Sequence, residues 1–279
     1  MWFRWLAVWG VLGALPGSAE PTTRLEVHAP SAKPERYLLL VRGRKRVRYE
    51  VLLNALPIAA GTGDDTQVAV PIDPSWLRMG ENALEVKVAV AAKAMKSEGS
   101  ALELALHVLP AGTDERELDE LRLVHWRLTA RPLPHQIAAF VLPDRGWPIG
   151  QLWAEAEVVR TLTDDDKTAL AALQKKRCDA FRTGDRATLE KLERFRLAVA
   201  TQAGPAVRDE AKKMLDLITA PDQRKQLEAL ALGEPATFEL VGDGRVAIVE
   251  NPITGAAQSM RTWAARIAGA WVIVPDSVR

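Results

Sequence analysis

The sequence predicts an α+β protein in which an antiparallel β-sandwich precedes a domain of helices followed by a four-stranded antiparallel sheet. Three observations carry this expectation. Apolar residues alternate with a period of two through residues 36–142, the period becomes helical at Thr163, and short β-compatible runs return from residue 236. A chain of 279 residues with 48% apolar content is long enough for two modest cores. We therefore expect a signal segment at 1–19, a sandwich domain at 20–142, a connector at 143–162 and a second domain at 163–279.

The leader comes first. Arg4 precedes an apolar run over residues 5–15, then Pro16, and the small residues Gly17 and Ala19 stand ahead of Glu20. This is the pattern of a cleavable secretory signal. The apolar run is about half the roughly twenty residues that a membrane-crossing helix needs, so no stable membrane anchor is expected after cleavage. The predicted location is exported, either periplasmic or extracellular. Cys178 is the single cysteine, which excludes an internal disulfide. Removing the leader takes away only Arg4 from 37 Lys+Arg, leaving them equal to the 36 Asp+Glu. That balance argues against nucleic acid or an anionic membrane as the main partner.

In the first half, strands are expected at 36–41, 46–53, 67–72, 83–90, 101–108, 121–130 and 136–142. Between them stand the breaks Arg42-Gly43-Arg44, Gly61-Thr62-Gly63, Met79-Gly80-Glu81-Asn82 and Gly99-Ser100. Leu102, Leu104, Leu106 and Val108 share one face, and Glu103 and His107 the other. Asn54-Ala55-Leu56-Pro57-Ile58 and the later run Trp76-Leu77-Arg78-Met79-Gly80-Glu81-Asn82-Ala83-Leu84-Glu85-Val86 resemble the galactose-binding-like jelly-roll sandwich found beside many glycoside hydrolases. Ala55 stands where that family usually has Gly. The resemblance implies that Trp76 and Leu77 plug one end of the sandwich, that Gly80 makes a turn with positive φ, and that Asn82 leads into a strand. It also implies either sugar binding or a propping role for a neighbouring domain, because a shared fold does not carry activity. A sugar site needs an exposed aromatic platform, and Trp76, Trp126, Tyr37 and Tyr49 all fall where alternation favours burial.

Arg42, Arg44, Lys45, Arg46 and Arg48 form the densest charge run. They are the candidate ligand-binding patch, for an anionic polysaccharide, lipid headgroup or acidic protein. The competing reading is a solvated hairpin turning at Gly43, with Arg46 and Arg48 outward. His28, His107, His125 and His135 lack the paired spacing of metal ligands, so no metal site is expected.

Pro110 to Glu120 reads as a surface loop or short helix, and Pro143 to Pro148 as a second break. Trp147 and Trp153 are expected to pack this connector against the domains. Thr163 is an N-cap with Asp166 three residues on, and Leu170, Leu173, Arg177, Ala180 and Phe181 give the first helical stripe. Thr183-Gly184-Asp185 closes that helix and caps a second carrying Leu189, Leu192, Phe195 and Val199. A third starts at Gly204-Pro205 with Met214, Leu215 and Ile218 inside, and a fourth opens at Pro221-Asp222 and stops at Gly233. Strands at 236–241, 245–250, 259–268 and 270–274 complete a meander, with Gly242-Asp243-Gly244 as a hairpin turn. We expect residues 163–279 to enclose a core of their own and fold alone. The closing "A-F-R-T-G-D" of the first helix and the "R-I-A-G-A-W-V-I-V" strand resemble the nuclear-transport-factor-like cone, a family that includes polyketide-cyclase-like isomerases and secreted binding domains.

Enzymes of that family commonly use a His and an acid inside the cone, yet no His follows His135. Asp179, Asp185 and Glu239 are the carboxylates that could serve if burial raised their pKa. Cys178 lies mid-helix without a nearby His and reads as an inert buried thiol. No nucleophile elbow, phosphate loop or dinucleotide fingerprint occurs. The sequence thus points to an exported, non-enzymatic binding or interaction protein without a cofactor, its partner a protein or a small ligand, glycans included. The alternatives are a carboxylate-based isomerase or hydrolase, a glycan-processing accessory, and an envelope immunity or inhibitor protein.

Overall fold

The structure is a computed structural model that describes residues 23–28, 36–43, 47–63, 67–90, 102–110, 121–128, 135–220, 231–254 and 259–276. The signal segment, residues 111–120 and residues 221–230 of the expected fourth helix lie outside these. The fold is α+β, with two sheets in the first part and helices followed by a third sheet in the second.

The first part is built from β1 (Thr23–Arg24), β2 (Arg36–Gly43), β3 (Val47–Leu53), β4 (Leu56–Gly63), β5 (Gln67–Ile72), β6 (Glu81–Val90), β7 (Leu102–Leu109), β8 (Arg122–Arg127) and β9 (His135–Val141). One sheet has the order β1-β9-β6-β3-β4 and the other β5-β2-β7-β8. All pairs are antiparallel except the short β1, which runs parallel to β9. Alternate residues face inward: Leu39 and Val41 of β2 and Leu102, Leu104 and Leu106 of β7 meet Val51 and Leu53 of β3 and Leu84 and Val86 of β6, all buried.

Two strands depart from the sequence reading. Gly61-Thr62-Gly63 was expected as a break but belongs to β4, whose Pro, Ala and Gly content hides its strand character. Gly61 pairs with Tyr49 across the ladder, and a Cβ there would stand 2.8 Å from the tyrosine hydroxyl. The glycine is a seat for an aromatic ring, not a turn. The second departure concerns the basic run. β2 pairs with β5 and β7, while β3 pairs with β4 and β6, so the strands on either side of the basic run belong to different sheets. The expected hairpin at Gly43 is not formed, because the two flanking strands serve different sheets.

The true hairpin lies at Asn54-Ala55, where φ is +53° and +62°. Two consecutive positive φ values make the primed turn that matches strand twist. Asn54 and Asn82 are both buried and satisfy each other's surroundings. The Asn54 amide nitrogen donates to Trp76 O and Asn82 Oδ1, both at 2.9 Å, while its own oxygen accepts from Ala83 N. The Asn82 amide nitrogen donates to Arg78 O and Gly80 O, and its oxygen accepts from Arg78 N. Gly80 has φ +88°. The Trp76-to-Asn82 loop is therefore moulded around two side-chain amides.

The second part starts with α1 (Gln151–Glu155) and continues with α2 (Asp164–Thr183), α3 (Arg186–Leu192), α4 (Arg194–Ala203) and α5 (Pro205–Thr219). Thr163 and Asp166 form the expected capping box, Gly184 ends α2 at φ +66°, and Asp185 caps α3 by accepting from Thr188 N. The second expected helix is divided at Glu193, which turns its side chain inward. Met214 of α5, expected inside, is exposed, Leu215 takes the inner position, and the Ile218 side chain lies outside the described residues. The meander β10 (Thr237–Val241), β11 (Val246–Pro252), β12 (Ser259–Ile267) and β13 (Ala270–Ile273) follows in sequential order.

Both faces of this sheet are covered. Ala247, Val249 and Ala264 pack on Leu170 of α2, and Gln174 of α2 donates to Val249 O and Met260 O. The alternate residues Val246, Ile248, Trp263, Ala265 and Val272 join the sandwich core in one continuous apolar cluster with Trp147, Ile149, Leu152, Phe195 and Val199. The core thus crosses the connector, where the sequence suggested a division.

Candidate functional site

The joint between the two parts is where the structure gathers its aromatic and charged side chains. Asp73 caps the short 3-10 turn Pro74–Trp76 and presents Trp76 inward. The Trp76 ring lies 5.6 Å from that of Trp263, and both are 2% exposed. Trp76 Nε1 donates to Pro275 O at 3.1 Å, across 199 residues of sequence. Its carbonyl accepts from Asn54 and also from Trp153 Nε1 at 2.9 Å. The indole that the resemblance placed at one end of the sandwich also joins that sandwich to β12 and the C-terminal tail.

An ion network lies beside this stack. Arg177 of α2 and Glu193 are both buried; Arg177 Nε donates to Glu193 Oε1 at 2.9 Å, and Nη1 reaches Asp276 Oδ2 at 3.4 Å. Arg196 stands 3.7 Å from the same aspartate. Burial acts to lower the Arg177 pKa, but the Glu193 and Asp276 carboxylates outweigh it and hold the guanidinium above its ordinary value. Asp73 is pushed up by burial, partly offset by hydrogen bonds from Ser75. The hollow between Arg177, Phe181, Glu193 and Leu215 holds about 20 Å³, room for one water and no larger ligand. An open groove of about 250 Å³ lies at the sandwich edge, lined by Arg24, Leu25, Val27, Glu81 and Val141.

On the surface of the joint, Trp153 of α1 carries two arginines. Arg78 Cζ lies 4.0 Å and Arg245 Cζ 5.7 Å from its ring centre. Arg78 pairs with Asp243, the middle residue of the β10–β11 turn. Gly242 N of that turn donates to Ala55 O at 3.0 Å, and Val159 N donates to Gly244 O at 2.8 Å. A Cβ at Gly244 would stand 2.4 Å from Val159 O, so the turn closes on the connector only with glycine there.

The residues singled out in the sequence are dispersed. Asp179 is paired with Lys175 and Arg182 on the outer side of α2, each at 3.1 Å. Asp185 is an exposed cap whose carboxyl is held below the usual range by the Thr188 hydroxyl and amide. Glu239 is exposed on β10. Cys178 is buried, and burial raises its thiol pKa. His28 is exposed, His107 is buried on β7, and His125 and His135 contact Glu103 at 2.6 Å and Glu85 at 2.9 Å. Burial acts to raise the Glu103 pKa, but the His125 hydrogen bond and charge bring it below the ordinary value. No group of three metal-ligating side chains converges among the described residues. Tyr37, Tyr49, Trp76 and Trp126 are all buried, and burial raises both tyrosine pKa values. Of the basic run, Arg42 is exposed and donates to Gln67 Oε1 at 2.8 Å, Arg48 is exposed on β3, and Arg44, Lys45 and Arg46 lie outside the described residues.

Sequence reasoning missed the Arg177–Glu193 pair and the Trp153 cluster. A mid-helix arginine in an otherwise apolar stripe was the one signal for the first; the second depends on three segments far apart in the chain. Compared with protein families, curated proteins and solved structures, the chain matches none.

Proposed function

We propose that the chain is an exported, non-enzymatic binding or interaction protein of the periplasm or extracellular space. The observation that carries this is the Trp76–Trp263 stack. It fills the sheet face opposite α2 with two buried indoles and leaves no room there for a substrate. Asp179 and Asp185 stand on α2 and at the start of α3, away from that face, and Glu239, in register with Ile248 on the same face, is exposed on the edge strand β10. Export follows from the leader around Arg4 and Ala19. The test incubates envelope extract with the mature protein and with the triple variant Asp179→Asn, Asp185→Asn, Glu239→Gln, followed by mass spectrometry of captured and soluble components. Both proteins are expected to retain the same component unchanged. Conversion of a soluble component by the parent but not by the variant would replace this reading with the carboxylate enzyme.

A further inference from the structure

We propose that the surface of the joint binds the oxyanion of a small acidic ligand, with Arg245 as its principal donor and Trp153 and Arg78 as its wall. This rests on the binding reading above and gives it a ligand chemistry. Two guanidinium groups crowd one indole, and among the described residues one carboxylate, Asp243, pairs with them, through Arg78. Arg78 uses its Nη2 on that carboxylate. Arg245 has no hydrogen-bond acceptor and no ion pair among the described residues, and its Nε is closed off from solvent without a partner.

A half-buried guanidinium held this way forfeits part of its hydration without a counter-charge, which is a cost unless a ligand supplies acceptors. A guanidinium against an aromatic face keeps in-plane N–H groups for a carboxylate or phosphate, which it grips in a fork. The platform is also preorganised. Trp153 is fixed by its hydrogen bond to Trp76 O, and the turn ahead of Arg245 is fixed by Ala55 and Val159. Little ordering remains to be done when the anion arrives. This site is distinct from Arg42 and Arg48, which lie on strands of the sandwich.

The experiment measures melting temperature and calorimetric binding of the full mature chain with sodium citrate or sodium phosphate, with sodium chloride at matched ionic strength as reference. A saturable rise in Tm with citrate assigns a carboxylate ligand, and one with phosphate assigns a phosphate. Arg245→Gln is expected to weaken that binding by about tenfold or more while leaving the unliganded Tm near that of the parent. Asp243→Asn is expected to tighten it, because Arg78 then turns to the ligand. No saturation beyond sodium chloride with either anion, or full binding by Arg245→Gln, overturns the site. If capture from envelope extract persists in that case, the binding reading stands and only the anion site falls.

Discussion

The two faces of the C-terminal sheet are covered by different kinds of neighbour. One meets α2, a helix joined to it through the same stretch of chain, and uses the small residues Ala247, Val249 and Ala264 against Leu170. The other meets the sandwich, and uses Trp263 and Ile248 against Trp76 and its surroundings. The near face is local, its buried centre made of small residues ringed by half-buried Phe238, Leu240 and Trp271, whereas the far face is larger and joins Phe195 and Val199 of α4 to Trp76, almost two hundred residues from Trp263. The lesson is that α2 caps one face of the sheet while the other face shares its apolar core with the sandwich.

The strongest way to break this comparison is to cut the chain. Expressed alone, residues 163–279 expose the Trp263 face, and we expect an expanded species without near-UV dichroism, while the full mature chain melts in a single transition. A dispersed amide NMR spectrum from the isolated segment would show that α2 suffices. Next in size is Trp76→Ala, expected to cost about 3 to 5 kcal/mol, with chemical denaturation reporting both parts unfolding together. Arg177→Met leaves Glu193 buried without its cation and is expected to cost about 3 kcal/mol. The double variant Arg177→Met, Glu193→Leu should recover most of that loss in the same denaturation assay.

The local face gives a pH test. Asp166 caps α2 and accepts from Trp271 Nε1 at 2.9 Å, and that bond, with those from Thr163, holds its carboxyl below the ordinary value. A depressed folded pKa means its stabilisation is complete above the unfolded value near 4 and disappears as pH falls through the folded value. Melts between about pH 5 and pH 2 should therefore decline less steeply in Asp166→Asn than in the parent. The smallest effect is expected at Ala55, whose φ of +62° suits glycine better. Ala55→Gly should gain about 1 kcal/mol, read as a raised denaturation midpoint.

Much of this fold could be read from the chain because local chemistry decided it. The Thr163 capping box, the Gly184 terminus, the Asp185 cap and the four-strand meander each depend on residues within a few positions of one another. What escaped depended on distance. Glu193 divides a helical run because its partner Arg177 lies on another helix. Gly61 reads as punctuation until Tyr49 is laid over it. The alternation in β11 and β12 marks two apolar faces but does not say which neighbour covers each. The surface cluster was illegible for the same reason, since Arg78, Trp153 and Arg245 come from the sandwich, the connector and the meander.

The bond from Trp76 to Pro275, with Asp276 held by Arg177 and Arg196, has a consequence for how the protein matures. A polypeptide made from its amino end delivers the sandwich first and residues 274–276 long afterward. Until Val274–Asp276 emerge, Trp76 lacks its acceptor and Arg177 one of its two carboxylates. The joint is therefore sealed only once residues 274–276 have been made, and chaperones that guard exposed aromatic surface would have their longest task at Trp76, on which both parts wait.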